Sequence, residues 1–123
     1  MSLVSVGAEL LSAKERLQNF KNNVTVFGSA RIQESDPIYA DAYLLGKELS
    51  KAGYNVFTGG GPGIMEAANK GARLAKGKSV GLNIDLPFEQ YNNKYVDTDK
   101  LINFDYFFIR KLMFTKYAQG FVV

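Results

Sequence analysis

Cysteine, histidine and tryptophan are all missing from the 123-residue chain, and proline occurs only three times. Without cysteine there is no disulfide, no thiolate nucleophile and no thiolate metal ligand. Without histidine the usual general base and the commonest transition-metal ligand are gone as well. No metal site is expected, and any chemistry must use Asp, Glu, Arg, Lys, Ser, Thr, Tyr or backbone amides. Long apolar runs are also lacking: charges interrupt them far short of the roughly 20 residues that a membrane span needs. Residues 1–7 have neither the basic start nor the apolar core of a secretory signal. The expectation is a cytoplasmic protein without a membrane partner. Nor does one sign of charge dominate. Fifteen basic against twelve acidic residues leave +3, which suits a small anionic ligand and is too little, and too dispersed, to imply a nucleic-acid partner.

What is present reads as one α/β domain. In residues 8–20, Leu10, Ala13, Leu17 and Phe20 recur at helical spacing. We divide the chain into this N-terminal helix, 1–22, packing on a domain at 23–123. Residues 23–27 form a buried strand that runs into the small-residue turn Gly28-Ser29-Ala30. Asp36-Pro37 supplies a capping acceptor and a first-turn proline for a helix whose apolar stripe is Ile38, Ala42, Leu45, Leu49 and Ala52, closed by Gly53. A second strand at 54–57 leads directly into Thr58-Gly59-Gly60-Gly61-Pro62-Gly63. The helix at 64–76 carries Ala67, Ala68, Gly71, Ala72 and Ala75, small enough to lie close to the sheet, and Gly77 ends it. A third strand at 79–84, a polar loop at 85–97, a short strand at 101–104, a helix at 105–118 and a strand from 120 complete the pattern. Strands alternating with helices of this length predict a Rossmann-like α/β fold, a parallel sheet with helices on both faces in three α/β/α layers. Ligands of such sheets bind at the carboxyl ends of the strands. Both glycine turns fall on that edge.

The turn Gly59-Gly60-Gly61-Pro62-Gly63 carries the clearest chemistry. Glycines let backbone approach a phosphate, and the following helix start offers amides and a partial positive charge. A tight turn that merely needs glycine is the plainer reading. It is not a dinucleotide fingerprint, because Ile64 stands where that pattern needs its last glycine; nor is Gly77-Lys78-Ser79 an ATPase loop, because it ends a helix and Ala72 stands where the first glycine belongs. Arg110 is the second signal. On a helix it shares a stripe with Tyr106, Phe114 and Tyr117, an apolar setting in which a guanidinium needs an anion: either a structural carboxylate or a ligand phosphate or carboxylate. Ser29 is either a ligand contact or a turn former. Glu89 either accepts hydrogen bonds from a sugar or base or faces solvent.

Taken in order, Gly28-Ser29-Ala30-Arg31, Gly59 to Ala67, Gly81 to Gln90 and Phe108-Ile109-Arg110-Lys111 resemble the LONELY GUY family. The resemblance implies a phosphoribohydrolase that cleaves AMP or cytokinin riboside 5′-monophosphates to free base and ribose 5-phosphate. It implies no cofactor and a homodimer or larger homo-oligomer. Carried over residue by residue, Arg110 is the catalytic arginine, Lys111 its neighbour in the substrate site, and Gly60, Gly61, Gly63 and Met65 part of the nucleotide cleft. Gly28, Ser29 and Glu89 fall at further substrate-contacting positions. The label lysine decarboxylase, sometimes attached to this family, finds no pyridoxal-binding lysine context here. The family's catalytic glutamate belongs to a Pro-Gly-Gly-x-Gly-Thr-x-x-Glu motif that follows a strand like Gly120 to Val123. The 123 residues stop at that strand, so little or no catalysis is expected of them alone. The alternative is a non-catalytic nucleotide- or anion-binding module of the same Rossmann-like kind.

Overall fold

A computed structural model describes residues 3–18, 20–84, 93–97, 101–104, 110, 114 and 120–122. The elements are α1 (Leu3–Leu17), β1 (Asn23–Val26), α2 (Pro37–Lys51), β2 (Asn55–Thr58), α3 (Ile64–Leu74), β3 (Ser79–Ile84), β4 (Leu101–Phe104) and β5 (Gly120–Val122). Among the described residues five strands form one sheet in the order β4-β3-β2-β1-β5. Every pairing is parallel, with Val24 opposite Val56 on one side and Gly120 on the other. This is the Rossmann-like α/β fold that the alternation of elements predicts.

Handedness distributes the helices. Steps from β1 to β2 to β3 run one way along the sheet, and right-handed crossovers put α2 and α3 on one face. The return from β4 to β5 runs the other way, so the same hand assigns Phe114, which lies between them in sequence, to the opposite face. Phe114, helical and buried, lies there with Ala13 and Leu17 of α1. The two-residue period of β2 then serves both cores. Phe57 points into the cluster of Ala13, Leu17, Val80, Leu82, Ile102 and Phe114. Val56 points into that of Val26, Tyr39, Ala42, Ile64, Ala67, Ala68 and Ala72.

Several expectations are corrected. The first helix starts at Leu3, and Leu10 is exposed, because its inner face narrows to Ala13 and Leu17. On α2 the buried stripe is Tyr39, Ala42 and Gly46, while Ile38 is exposed. Pro37 does open α2, yet the Asp36 carboxylate does not cap it: Oδ2 accepts from Gln33 N at 3.0 Å instead. The small residues of α3 serve α2 more than the sheet. A Cβ on Gly71 would strike the Tyr43 carbonyl, and one on Gly46 the Ala68 carbonyl, so the two helices touch backbone to backbone. Gly77 follows α3 as expected, but the left-handed position is Lys76 (φ 64°); Gly77 is glycine because Ser50 crowds it.

Tyrosines and charges tie the outer layer together. Lys70 Nζ lies 5.9 Å from the rings of Tyr39 and Tyr43 and 5.5 Å from that of Tyr95, favourable cation–π separations. The Tyr39 hydroxyl donates to Glu66 Oε2 at 2.9 Å, and Arg73 Nη1 donates to the Lys94 carbonyl at 2.6 Å. Burial first, then the Glu66 hydrogen bond and neighbouring carboxylate charge, hold the Tyr39 phenol well above its ordinary pKa. No helix of the described residues is long and apolar enough to cross a membrane.

Candidate functional site

The site is assembled where β1 and β2 end. Val56, Phe57 and Thr58 of β2 are fully buried, and the chain then turns through Gly59 to Gly63 into α3. Gly60 (φ 78°) and Gly63 (φ 74°) adopt the left-handed region, which side-chain-bearing residues rarely tolerate. Gly63 is doubly constrained, since a Cβ there would also strike the Ser29 carbonyl. That carbonyl accepts from Ile64 N at 3.0 Å, and Gly28 lies so close to the Ile64 side chain that no Cβ fits between them. The turns after β1 and β2 are thus one interlocked unit. One amide of the α3 first turn is already engaged by protein.

Two side chains close over the glycines. A Cβ on Gly59 would lie 2.5 Å from Arg110 Nη2 and 3.0 Å from Met65 Sδ; one on Gly61 would lie 2.7 Å from Met65 Cε. Arg110 is helical and half-buried, donates from Nε to the Leu82 carbonyl at 2.6 Å, and places Cζ 5.2 Å from the Phe114 ring. Burial lowers the Arg110 pKa, but an arginine remains charged at any physiological pH. A guanidinium presents a planar fork of donors of the kind that grips a carboxylate or phosphate.

Arg110, distant in sequence, therefore meets the glycine turn and the adjoining Met65. Phe114 shares the Arg110 setting as the stripe predicts. Gly28 and Ser29 flank the turn from β1, but Ser29 Oγ accepts from Arg31 N at 3.1 Å, which is turn formation. Glu89, Lys111, Tyr106 and Tyr117 lie outside the described residues. Beside Ser29 is an apolar cleft of about 300 Å³ lined by Val26, Ile32, Ile38, Ala42, Leu45 and Ile64. Among the described residues no group of three or more His, Cys, Asp or Glu is arranged to hold a metal ion.

Sequence reasoning missed the layer beneath the turn. Asn69 and Thr58 are fully buried, and Asn93 is nearly so. Thr58 Oγ1 donates to Asn69 Oδ1 and accepts from Gly60 N at 3.0 Å. Asn69 Nδ2 donates to Ser79 Oγ at 2.8 Å, and Ser79 Oγ donates to the Asn69 carbonyl at 3.2 Å. Asn93 supplies two bonds to the turn, from its N to the Gly60 carbonyl at 2.8 Å and from Nδ2 to the Gly61 carbonyl at 3.0 Å. The signal was available: an asparagine among the alanines of an inward helix face must be satisfied by something polar.

The SLOG cluster4 family model matches residues 21–121. The chain belongs to the SLOG cluster4 family. Solved structures agree with its fold. The X-ray structure of TM1055, a Northeast Structural Genomics Consortium target, is 29% identical with a TM-score of 0.64, covering 81% of this chain and 58% of that one. Two structures of the molybdenum cofactor carrier protein from Chlamydomonas reinhardtii are 31% and 29% identical with TM-scores of 0.50 and 0.51, each covering 68% of this chain and 48% of theirs. The SLOG cluster4 chain thus spans roughly half to three-fifths of the length of these structures. No curated protein matches it. Family and fold agree with the LONELY GUY resemblance and support a nucleotide-binding or related function.

Proposed function

We infer that the carboxyl edge of this sheet binds a nucleoside 5′-monophosphate, AMP or a cytokinin riboside monophosphate, and that the protein hydrolyses its N-glycosidic bond to free base and ribose 5-phosphate. One observation carries the reading: Gly59, Gly61, Met65 and Arg110 converge at the end of β2, next to the place where strand order reverses between β1 and β5. That reversal opens the crevice in which such sheets bind ligands. Gly28, Ser29, Gly60, Gly61, Gly63 and Met65 line the nucleotide cleft in this reading, Arg110 is its catalytic arginine, and Glu89 and Lys111 contribute by the resemblance. Cleavage of an N-glycoside passes through an oxocarbenium-like ribose, which a carboxylate stabilises while activating water. The resemblance assigns that carboxylate to the glutamate of the second glycine motif. Arg110 holds the substrate anion in register for the attack. A cytoplasmic homodimer needing no cofactor completes the proposal.

The test is release of adenine from AMP by the full-length protein, wild type against Arg110→Ala. Loss of a charge-assisted contact of about 1.5–3 kcal/mol lowers the rate about 10- to 150-fold. Cleavage that persists undiminished in the variant removes Arg110 from the mechanism. A second reading, a binding module that carries a nucleotide or anionic cofactor without cleaving it, draws support from the likeness to the molybdenum cofactor carrier structures. AMP bound but never cleaved by the full-length protein is its signature.

A further inference from the structure

We propose that Asn93 is a positioning residue for the ligand-binding turn: it fixes the peptide planes of Gly60 and Gly61, and with them the direction of the Gly61 N–H. The inference rests on the nucleotide-site reading above. Asn93 comes from a segment more than thirty residues beyond the turn, yet it is bound on every side. Its N donates to the Gly60 carbonyl at 2.8 Å. Its Nδ2 donates both to the Gly61 carbonyl and to Asn69 Oδ1, each at 3.0 Å. Its Oδ1 accepts from Tyr95 N at 3.0 Å. Both side-chain donors and the side-chain acceptor are therefore engaged, in a residue only 3% exposed.

The consequence follows from peptide geometry. Across a trans peptide the carbonyl and the next N–H point in opposite directions. With the Gly60 carbonyl drawn to Asn93, the Gly61 N–H points away from the buried network. The Gly61 carbonyl can also turn inward at no loss of a donor, because the next residue, Pro62, has no N–H. Gly60 N is engaged by Thr58 Oγ1. Two glycines in succession make these planes easy to flip, and a flip would exchange a donor for a carbonyl, a partial negative charge where an anion is to bind. Asn69 acts behind Asn93: its Oδ1 receives both Asn93 Nδ2 and Thr58 Oγ1, so both ends of the turn are referenced to one buried atom.

Asn93→Asp keeps shape and the Tyr95 acceptor but places an oxygen against the Gly61 carbonyl and Asn69 Oδ1. The experiment follows the Gly60 and Gly61 amides by ¹⁵N NMR, with AMP titration by calorimetry, in wild type, Asn93→Asp and Asn93→Ala. Asn93→Ala leaves a gap without the repulsion and stands in if the aspartate variant does not fold. Both variants keep the main-chain bond to the Gly60 carbonyl, so movement of the Gly60 and Gly61 amides reports the hold that the Asn93 side chain exerts on the turn through the Gly61 carbonyl. The expected result is a folded protein with shifted Gly60 and Gly61 amides, Val80 and Leu82 amides unchanged, and AMP bound about tenfold more weakly or worse. Unmoved glycine amides in a folded variant overturn the proposal, as does wild-type AMP affinity alongside shifted amides. If wild type binds no AMP, the nucleotide reading fails on its own, and the glycine amides alone decide whether Asn93 sets the turn.

Discussion

Gly59 separates what the fold needs from what the site needs. Its φ lies outside the left-handed region, so alanine fits the backbone. The added methyl would sit 2.5 Å from Arg110 Nη2, 3.0 Å from Met65 Sδ and 3.7 Å from Arg110 Cζ. All three atoms are near the ends of flexible side chains, which can move aside for about 0.5–1.5 kcal/mol of rotamer strain. Gly59→Ala is therefore expected to cost about 1 kcal/mol of stability. The effect on binding is larger, because the guanidinium leaves the place where, in the proposed reading, it meets the substrate anion. Losing that charged hydrogen bond is worth about 1.5–3 kcal/mol, or about 10- to 150-fold in Kd for AMP. Calorimetric titration with AMP and a thermal melt on the same sample measure both quantities. An unchanged Kd would refute the placement of Arg110 over Gly59 as a ligand contact. A stability loss as large as the binding loss would refute the claim that only side chains yield.

Gly46→Ala is expected to behave oppositely. Its methyl meets the Ala68 carbonyl, backbone that cannot swing away, so α2 and α3 separate at a cost of about 1–3 kcal/mol, seen as a lower Tm while the folded fraction keeps its AMP affinity. Tyr39→Phe tests the raised phenol. A folded-state pKa above the unfolded value of about 10 contributes stability that is complete below pH 10 and is lost as pH rises through the folded value. Wild type should exceed the variant by about 1–2 kcal/mol near neutral pH, and urea titrations should show that margin shrinking above pH 10; a margin constant to pH 11 contradicts it.

Much of the fold was legible because its punctuation is local. Gly53 (φ 94°) closes α2 where the end of the apolar pattern says it must, and the glycine run sits between β2 and α3 as read. Periodicity identified helices but misjudged faces. Leu10 and Ile38 fit the stripes and are exposed, since burial is decided by which neighbour arrives. The α2–α3 contact selects Gly46 and Gly71, residues that carry no hydrophobic signal at all. In the site, Arg110 was legible through its apolar company, whereas Thr58, Asn69 and Asn93 were not linked, because their partnership spans two turns and appears only when β2, α3 and the 93–97 segment are side by side.

The strand order has a consequence during synthesis. Val24 finds its second neighbour only at Gly120, nearly a hundred residues later. At about 5–20 residues per second, a ribosome needs on the order of 5–20 s to make the intervening chain. Throughout that interval the nascent chain holds β1, buried along its whole length in the finished fold, with one row of backbone donors and acceptors unmated. An inner strand of the finished sheet thus waits as an edge until β5 arrives, and the stretch Asn23–Val26 is the segment that a holdase or a second nascent chain would meet first.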